Sequence, residues 1–521
     1  MSEVLRVALV ATEASPLARH GGRADIVAAV ANSLARRGHQ VTLFLPAYRD
    51  LTFPEGSRRE TLRPELRVPD PAGIEPAALI RVTLPLRPEG GRSPEIILVH
   101  HRGNRRFFDR PGLWTDPADG TPYPDNAARF AFFGRAVLEG LKALDAKPDL
   151  VHAFDARAAW TLGLLKRVYA DDAQFVRTGT LISALDLDDQ EPQPAAALVE
   201  AGLEADAQEP WGTYDGDALV PLLKIGLRHA DLVVLPSKTH AAELLEDRAL
   251  ARELAPVLSL RAADTVGVVH GIDAAVWDPA GDAAIAAPYT ATDLAGKARC
   301  RHALAERAGW PSDPAESGHA WPIVGLIAKL TDEQGMALVT EALDRLLALD
   351  ARYFVLGLGD RVHHVALGQA AQRHPDRLFA RLTFDDTLVR EIVAGADLFL
   401  LPTLFEPTGR QALRAMRYGA VPVAHKVGGL ADVVTDFDPV AGTGTGFTFL
   451  EPTPLDLASS LAHAIDTFHQ PHAWRRLVRN AMTHDGSWEA TAAGYEVAYR
   501  EVRRRVEAKR FGAWAMGIAR G

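Results

Sequence analysis

The sequence predicts an α/β protein of two doubly wound, parallel-sheet domains, and three observations point there. First, residues 5–12 are an almost unbroken aliphatic run, the pattern of a strand buried on both faces between helices. Second, residues 24–37 carry Ile26, Val27, Val30 and Leu34 at helical spacing, stop at Gly38, and lead into a second apolar run at 41–45 closed by Pro46. Third, the same strand–helix rhythm restarts near residue 322 and repeats to residue 424. Alternation of this kind is the mark of a doubly wound fold.

Each element follows from local pattern. Residues 149–153 and 231–235 read as further strands of the first half, each after a helix-patterned run. In the second half, 323–328 is a strand and 335–349 a helix with Met336, Val339, Leu343, Leu346 and Leu347 on one face. Strands are predicted at 353–356, 379–382, 398–401 and 421–424, and helices around Leu367, at 388–394 and at 411–418. Residues 268–294, rich in Asp, Ala and Pro, read as a hinge. The expected domains are 1–266, 267–490 and a closing helical segment, 491–521.

Composition excludes several classes. At 521 residues the chain has room for two to four domains at roughly 100–200 residues each. No apolar run approaches the roughly 20 residues that span a bilayer, and the start does not read as a signal peptide. The one cysteine, Cys300, excludes a disulfide framework and a thiolate metal cluster and suits a cytoplasmic setting. The net charge is −10, and residues 184–217 hold ten acidic residues with no Lys or Arg, which accounts for all of it. With no basic face, nucleic acid is excluded as a partner. The acidic stretch itself reads as a solvated loop with a short helix near 195–202.

In open parallel sheets, ligands bind beyond the carboxyl ends of the strands, so the loops after strands carry the candidates. Arg19-His20-Gly21-Gly22-Arg23-Ala24-Asp25 precedes a helix, where paired glycines let backbone N–H groups reach an anion, although glycine there also serves plain turn chemistry. Three loops of the second half compare with it: Ala328 to Gly335, Leu356-Gly357-Leu358-Gly359-Asp360, and Leu404-Phe405-Glu406-Pro407-Thr408-Gly409-Arg410. The last offers a carboxylate, a hydroxyl and a helix N-terminus together, which suits a glycosyl diphosphate. His152 and His270 lie at strand ends, where a structural role is the commoner one. Asp186-Leu-Asp188 has the look of a metal-binding pair, but no metal is expected. Arg503-Arg504-Arg505 reads as the solvent face of the last helix.

These residues resemble the bacterial glycogen and plant starch synthases almost from end to end. The match runs through Gly21-Gly22 and Ala24-Asp25, Tyr123-Pro-Asp-Asn-Ala-Ala-Arg-Phe130, Pro148-Asp-Leu-Val-His-Ala153, Leu223-Lys224, His270-Gly-Ile-Asp and Asp293-Leu-Ala-Gly-Lys297. It continues at Leu330-Thr331, Phe405-Glu-Pro407, Tyr418-Gly419, Gly428-Gly-Leu-Ala-Asp432 and Ser487-Trp488. The resemblance implies a GT-B fold, two Rossmann-like domains facing a cleft, with the last helix crossing back to the first. It implies a retaining glucosyltransferase that moves glucose from ADP-glucose to the non-reducing end of an α-1,4-glucan such as glycogen, with no cofactor and no membrane partner.

Carried over, Glu406 is the carboxylate that orients glucose and steadies charge at the reacting carbon, with Asp125 and Lys329 beside it in catalysis. Arg19, Gly21, Gly22, Gln334, Gly357, Thr408 and Gly409 hold the donor, and Arg157 and His152 lie on the sugar side. This sequence departs from the family at the site. Gln334 replaces a phosphate-binding Lys, and Lys329 an Arg. Phe154-Asp155-Ala156-Arg157 replaces His-Asp-Trp-His, and Thr180-Leu-Ile-Ser183 replaces Thr-Val-His-Asn. Gln411-Ala412 replaces Thr-Gln, and Arg23 and Arg410 replace leucines, where they could restore the cation lost at Gln334. These changes leave two other readings open: a transferase with another donor or acceptor, and a silent glucan-binding or regulatory protein.

Overall fold

A computed structural model describes residues 3–71, 73–85, 91–208, 219–311, 320–383 and 385–518, with side chains to residue 511. The chain divides into two units: 1–236 with 241–268 and 491–521, and 237–240 with 269–490.

The first unit is built on a nine-stranded sheet. Its strands are β1 (Arg6–Val10), β2 (Gln40–Pro46), β3 (Arg58–Asp70), β4 (Gly73–Thr83), β5 (Glu95–His101), β6 (Leu150–Phe154) and β7 (Gly179–Ser183). A small separate pair, β8 (Pro192–Pro194) and β9 (Leu219–Pro221), precedes β10 (Leu232–Leu235) and β11 (Thr265–Gly267). The order across the sheet is β11-β10-β7-β6-β1-β2-β5-β4-β3. β1 pairs in parallel with β2 on one side, Val7 facing Val41, and with β6 on the other, Val7 facing Leu150. Helices α1 (Gly22–Arg36), α2 (Asn126–Ala143) and α3 (Asp155–Arg167) cover its faces with buried Ile26, Val30, Phe133, Val137 and Trp160.

The sequence pattern did not announce β3, β4, β5 or β7. β3 reads RRETLRPELRVPD and is exposed at most positions, so it lacks the apolar signature of a buried strand. It forms the outer antiparallel hairpin with β4, and a charged edge of this kind resists pairing with other chains.

A buried hydrogen-bond chain joins this sheet to the C-terminal helix, Trp488–Ile518. His152 Nδ1 meets Tyr499 Oη at 2.8 Å, His152 Nε2 meets Ser183 Oγ at 2.8 Å, and Ser183 Oγ meets Tyr495 Oη at 2.9 Å. Nearby, Asp231 accepts from Lys166 and Lys509, both at 2.9 Å, and from the Thr180 hydroxyl. Those cations hold the Asp231 carboxyl down, to about 2, despite its burial. The basic run of the helix is therefore not merely solvated: Arg505 pairs with Asp264 and Glu501, and Arg504 with Glu501.

The second unit has an all-parallel six-stranded sheet: β12 (Ile323–Leu330), β13 (Arg352–Gly359), β14 (Leu378–Arg381), β15 (Leu398–Leu401), β16 (Val421–His425) and β17 (Phe447–Phe449). Its order is β14-β13-β12-β15-β16-β17. The expected hinge at 268–294 is instead packed into this unit. Ile272, Ala287 and Tyr289 are buried, and the Tyr289 hydroxyl donates to the Tyr418 carbonyl at 2.8 Å. Lys297 is buried beside it, its ammonium donating to the carbonyls of Ala394, Ala396 and Tyr418, and burial lowers it to about 8.

Gly357 lies on β13, paired with Ala328 of β12. A Cβ there would run into the Ala328 carbonyl and the Leu330 side chain. Gly357→Ala is therefore expected to cost about 1–3 kcal/mol by overpacking, read as a lowered urea midpoint. An unchanged midpoint would refute this account of the glycine.

Candidate functional site

A doubly wound sheet changes winding direction at one pair of adjacent strands, and the crevice beyond their carboxyl ends is the natural ligand site. In the second unit that pair is β12 and β15. β12 ends with Lys329 and Leu330, the loop after it carries Gln334, and the loop after β15 carries Glu406, Thr408 and Gly409. The two loops are tied together, since Leu404 N–H donates to the Glu333 carbonyl at 2.9 Å and the Thr403 hydroxyl to the same carbonyl at 3.2 Å. Lys329 is exposed at the end of its strand, and Gln334 is half-buried.

Glu406 folds back on its own loop. Its Oε1 accepts from the Thr408 N–H at 3.0 Å, the Thr408 hydroxyl at 2.8 Å and the Gly409 N–H at 2.9 Å. The backbone donors expected to meet phosphate thus meet this carboxylate. Gly409 caps the following helix, Arg410–Arg417, at φ +68, and a Cβ on it would lie 2.5 Å from the Gly429 carbonyl, so only glycine fits. Gln411, in place of the family threonine, donates to the Ile327 carbonyl of β12 at 2.6 Å. Arg410 lies over the Trp488 ring at 5.6 Å. It also helps burial push the His270 imidazole down, to about 3, so His270 stays neutral in the core.

In the first unit the winding reverses between β1 and β6. Loops after β1, β6 and β7 meet there, and they carry charge. Glu13 Oε2 accepts from the His20 and Gly21 N–H groups at 2.9 and 3.1 Å, so the anion position of the Gly21-Gly22 loop holds the chain's own carboxylate. A Cβ on Gly21 or Gly22 would meet nothing within 4 Å. The space in front of these two glycines is open, and packing does not explain them. Arg19 is exposed and pairs with Asp25 at 3.2 Å.

Arg23 read either as a surface-facing side chain or as a cation for phosphate. It is instead half-enclosed by carboxylates: Asp189 at 2.5 Å, Glu13 at 3.4 Å, Asp186 at 3.7 Å and Asp155 at 3.9 Å. Burial opposes its charge, yet Asp155, Asp189 and Glu13 together raise its pKa. Arg157 pairs with the same Asp189 at 2.9 Å and with Glu191 at 2.5 Å, and stands 4.2 Å over the Trp114 ring. Burial favours a protonated Glu191 and raises it, against the pull of Arg157. Burial would raise Asp189 as well, but its two arginines overcome that and lower it.

The acidic stretch is therefore no plain solvated loop. Its carboxylates supply the counter-charge for buried Arg157 and half-buried Arg23, and Asp206 is fully buried against Arg167 and His229. Its last part, residues 209–218, lies outside the described residues. The Asp186-Leu-Asp188 pair splits between tasks: Asp186 accepts from the Asp188 N–H and Asp188 pairs with Arg252.

Two expected site residues are engaged by other groups of the chain. His152 is fully buried with both ring nitrogens engaged in the core chain, which leaves it no atom for substrate. Asp125, at the N-terminal end of α2, is held by Arg110 through two 2.8 Å bonds. Sequence reasoning missed Glu13, Asp189 and Glu191. Glu13 had a signal, standing three residues past the first strand. Asp189 and Glu191 had none, because the partners that bury them are distant in sequence.

With this geometry in hand, the chain was compared with known proteins. The family profile described as starch synthase catalytic domain matches residues 6–259, and that of glycosyl transferases group 1 matches 321–468. The glycogen synthase of Anaeromyxobacter dehalogenans strain 2CP-C is 36% identical over 508 residues, covering 95% of this chain and 99% of that protein. The catalytic domain of starch synthase IV from Arabidopsis thaliana, solved with ADP and acarbose, superposes with a TM-score of 0.77 at 27% identity, covering 96% and 100% of the two chains. Sucrose-phosphate synthase from Thermosynechococcus elongatus, at 18% identity and a TM-score of 0.50, covers 95% and 98% and shares the fold.

Asp155 gives the site a pH signature. It is buried with φ +61, accepts from the Leu185 N–H at 2.8 Å, and is pushed by burial to about 7. An acid held above its unfolded value binds its proton more tightly when folded, so stability falls as pH rises from about 4 to about 7. Asp155→Asn keeps a residue at ease in the left-handed region and removes that slope. The variant should gain on wild type by about 2–4 kcal/mol across this window, measured as unfolding free energy against pH. Parallel curves would count against the assignment.

Proposed function

Because this chain belongs to the glycogen and starch synthase family and has its two-domain GT-B fold, we propose that it is a retaining glucosyltransferase acting from ADP-glucose on the non-reducing 4-hydroxyl of an α-1,4-glucan. The observation that carries this reading is Glu406, a carboxylate at the winding reversal of the second sheet, fixed by three hydrogen bonds at the mouth of a helix N-terminus. The ADP and acarbose bound by the Arabidopsis enzyme supply the nucleotide and the glucan-like ligand by analogy.

The chemistry follows from charge. Departure of the nucleotide diphosphate leaves negative charge that must be met by cations and backbone donors. Lys329 supplies a point charge in place of an arginine fork, Gln334 a neutral donor, and the helix N-terminus at Arg410 a partial positive charge. Glu406 has one oxygen committed to its loop. Its other faces the developing positive charge at the sugar carbon, and its loop donors then pass from carboxylate to phosphate as the donor seats. In this reading no metal takes part, and the protein works in the cytoplasm. Among the described residues no helix is long and apolar enough to cross a membrane.

A second reading has its own observation. Gln334 lacks the charge of the family lysine, and the arginines that could have replaced it are committed elsewhere, Arg23 to carboxylates and Arg410 against Trp488. A charge-assisted bond is about twice as strong as a neutral one, so this favours a slow enzyme or a glucan binder that has lost turnover.

The test is ADP release from ADP-glucose with and without glycogen. Glycogen-dependent release should fall by about 10²–10³-fold in Glu406→Ala, the usual loss of one such stabilising group. Donor-induced thermal stabilisation without release would favour the silent binder. Release that survives in the variant would remove Glu406 from the mechanism.

A further inference from the structure

The crevice between β1 and β6 in the first unit is crossed by a latch of the chain's own groups. Asp189 bridges two guanidinium groups, Arg23 at 2.5 Å and Arg157 at 2.9 Å, and Glu191 holds the other end of Arg157 at 2.5 Å. These pairs draw the segment 186–191, which leaves β7, back over the carboxyl ends of β6 and β1. The Arg157 side chain is only 8% exposed and lies on the face of Trp114.

Two polar atoms inside this latch have no hydrogen-bond partner: Arg157 Nε and the Tyr48 hydroxyl. Both residues are more than nine-tenths buried, and Tyr48 lies within electrostatic reach of Arg157, Glu13 and Glu191. Buried polar atoms left unmet are costly, and native proteins keep few of them. Arg157 Nε thus lacks an acceptor and the Tyr48 hydroxyl a partner, and a neutral polyhydroxyl ring supplies both kinds of group.

We propose that Arg157 is a specificity-determining residue for the acceptor: it latches the 186–191 segment across the crevice, and a glucan chain end enters only as the Arg157 pairs with Asp189 and Glu191 open. This rests on the glucosyltransferase reading above and adds to it the gate on its acceptor. Arg157 does not act on the reacting atoms. It sets how much of the glucan's binding energy goes into opening the latch, so its signature is a change in acceptor affinity.

The experiment is isothermal titration of maltoheptaose, without any donor, into wild type, Arg157→Ala, Asp189→Asn and Arg157→Lys. Loss of the latch in Arg157→Ala or Asp189→Asn should tighten maltoheptaose binding about 10-fold, a change of about 1.4 kcal/mol. Arg157→Lys keeps an ion pair and should stay near wild type. The KM for glycogen should fall in the same variants. Asp189→Asn leaves the buried arginine in place, so it carries the test if Arg157→Ala does not fold. Unchanged or weaker binding in variants that melt cooperatively would overturn the latch. Failure of every protein to release ADP would sink the transferase reading alone, because the titration does not depend on turnover.

Discussion

A parallel strand has to return across a helix before its neighbour can pair, so all the loops that follow strands gather at one edge of the sheet. The rest of this structure depends on that constraint. It brings Lys329, Gln334 and Glu406 to one side of the second sheet although 77 residues separate the first from the last. It brings Glu13, Asp155, Arg157 and Asp189 to one side of the first. Neither set is a local motif. Each exists because the winding reverses where it does, between β12 and β15 and between β1 and β6.

The two crevices meet the problem of charge differently. In the second unit a carboxylate takes up the donors of a helix N-terminus while a lysine stays exposed at the strand end. In the first, carboxylates outnumber arginines inside a mostly buried cluster, and the imbalance shows in Asp155, which gives way by holding its proton up to about 7. Buried ion pairs seldom add much stability, since desolvation cancels most of the attraction, but removing one partner leaves a charge stranded. Such a cluster therefore fixes geometry more than it strengthens the fold.

The fold was legible in the sequence where buried strands are aliphatic runs set between helix patterns; β7, GTLIS, is buried throughout but too short and too polar in composition to stand out. The runs at 5–12 and 323–328 contain β1 and most of β12, because nothing but an aliphatic strand fits between two helix layers. β3 escaped because it lies at an edge facing water, and its residues follow solvent and not the core. Family membership was legible because positions such as Gly409, at φ +68 and tight against the Gly429 carbonyl, call for glycine and so stand out in the sequence. The charges were harder. Arg23 and Arg157 looked like free cations because their partners lie up to 166 residues away, and a list of residues shows charge but not pairing. His152 looked like a site residue for the converse reason: its strand-end position was visible, and the tyrosines that claim it come from the far end of the chain.

That last contact ties the first unit to the far end of the chain. β6 and β7 lie within the first 183 residues, yet the hydroxyls that satisfy His152 and Ser183 belong to Tyr495 and Tyr499. Val502 fills the space over Gly179, and Glu496 takes Arg37 and His39. Without the C-terminal helix, His152 and Ser183 lack these tyrosine partners and nothing from Val502 covers Gly179. The first unit therefore completes its packing only with residues 491–521, which follow the whole of the second unit in the sequence.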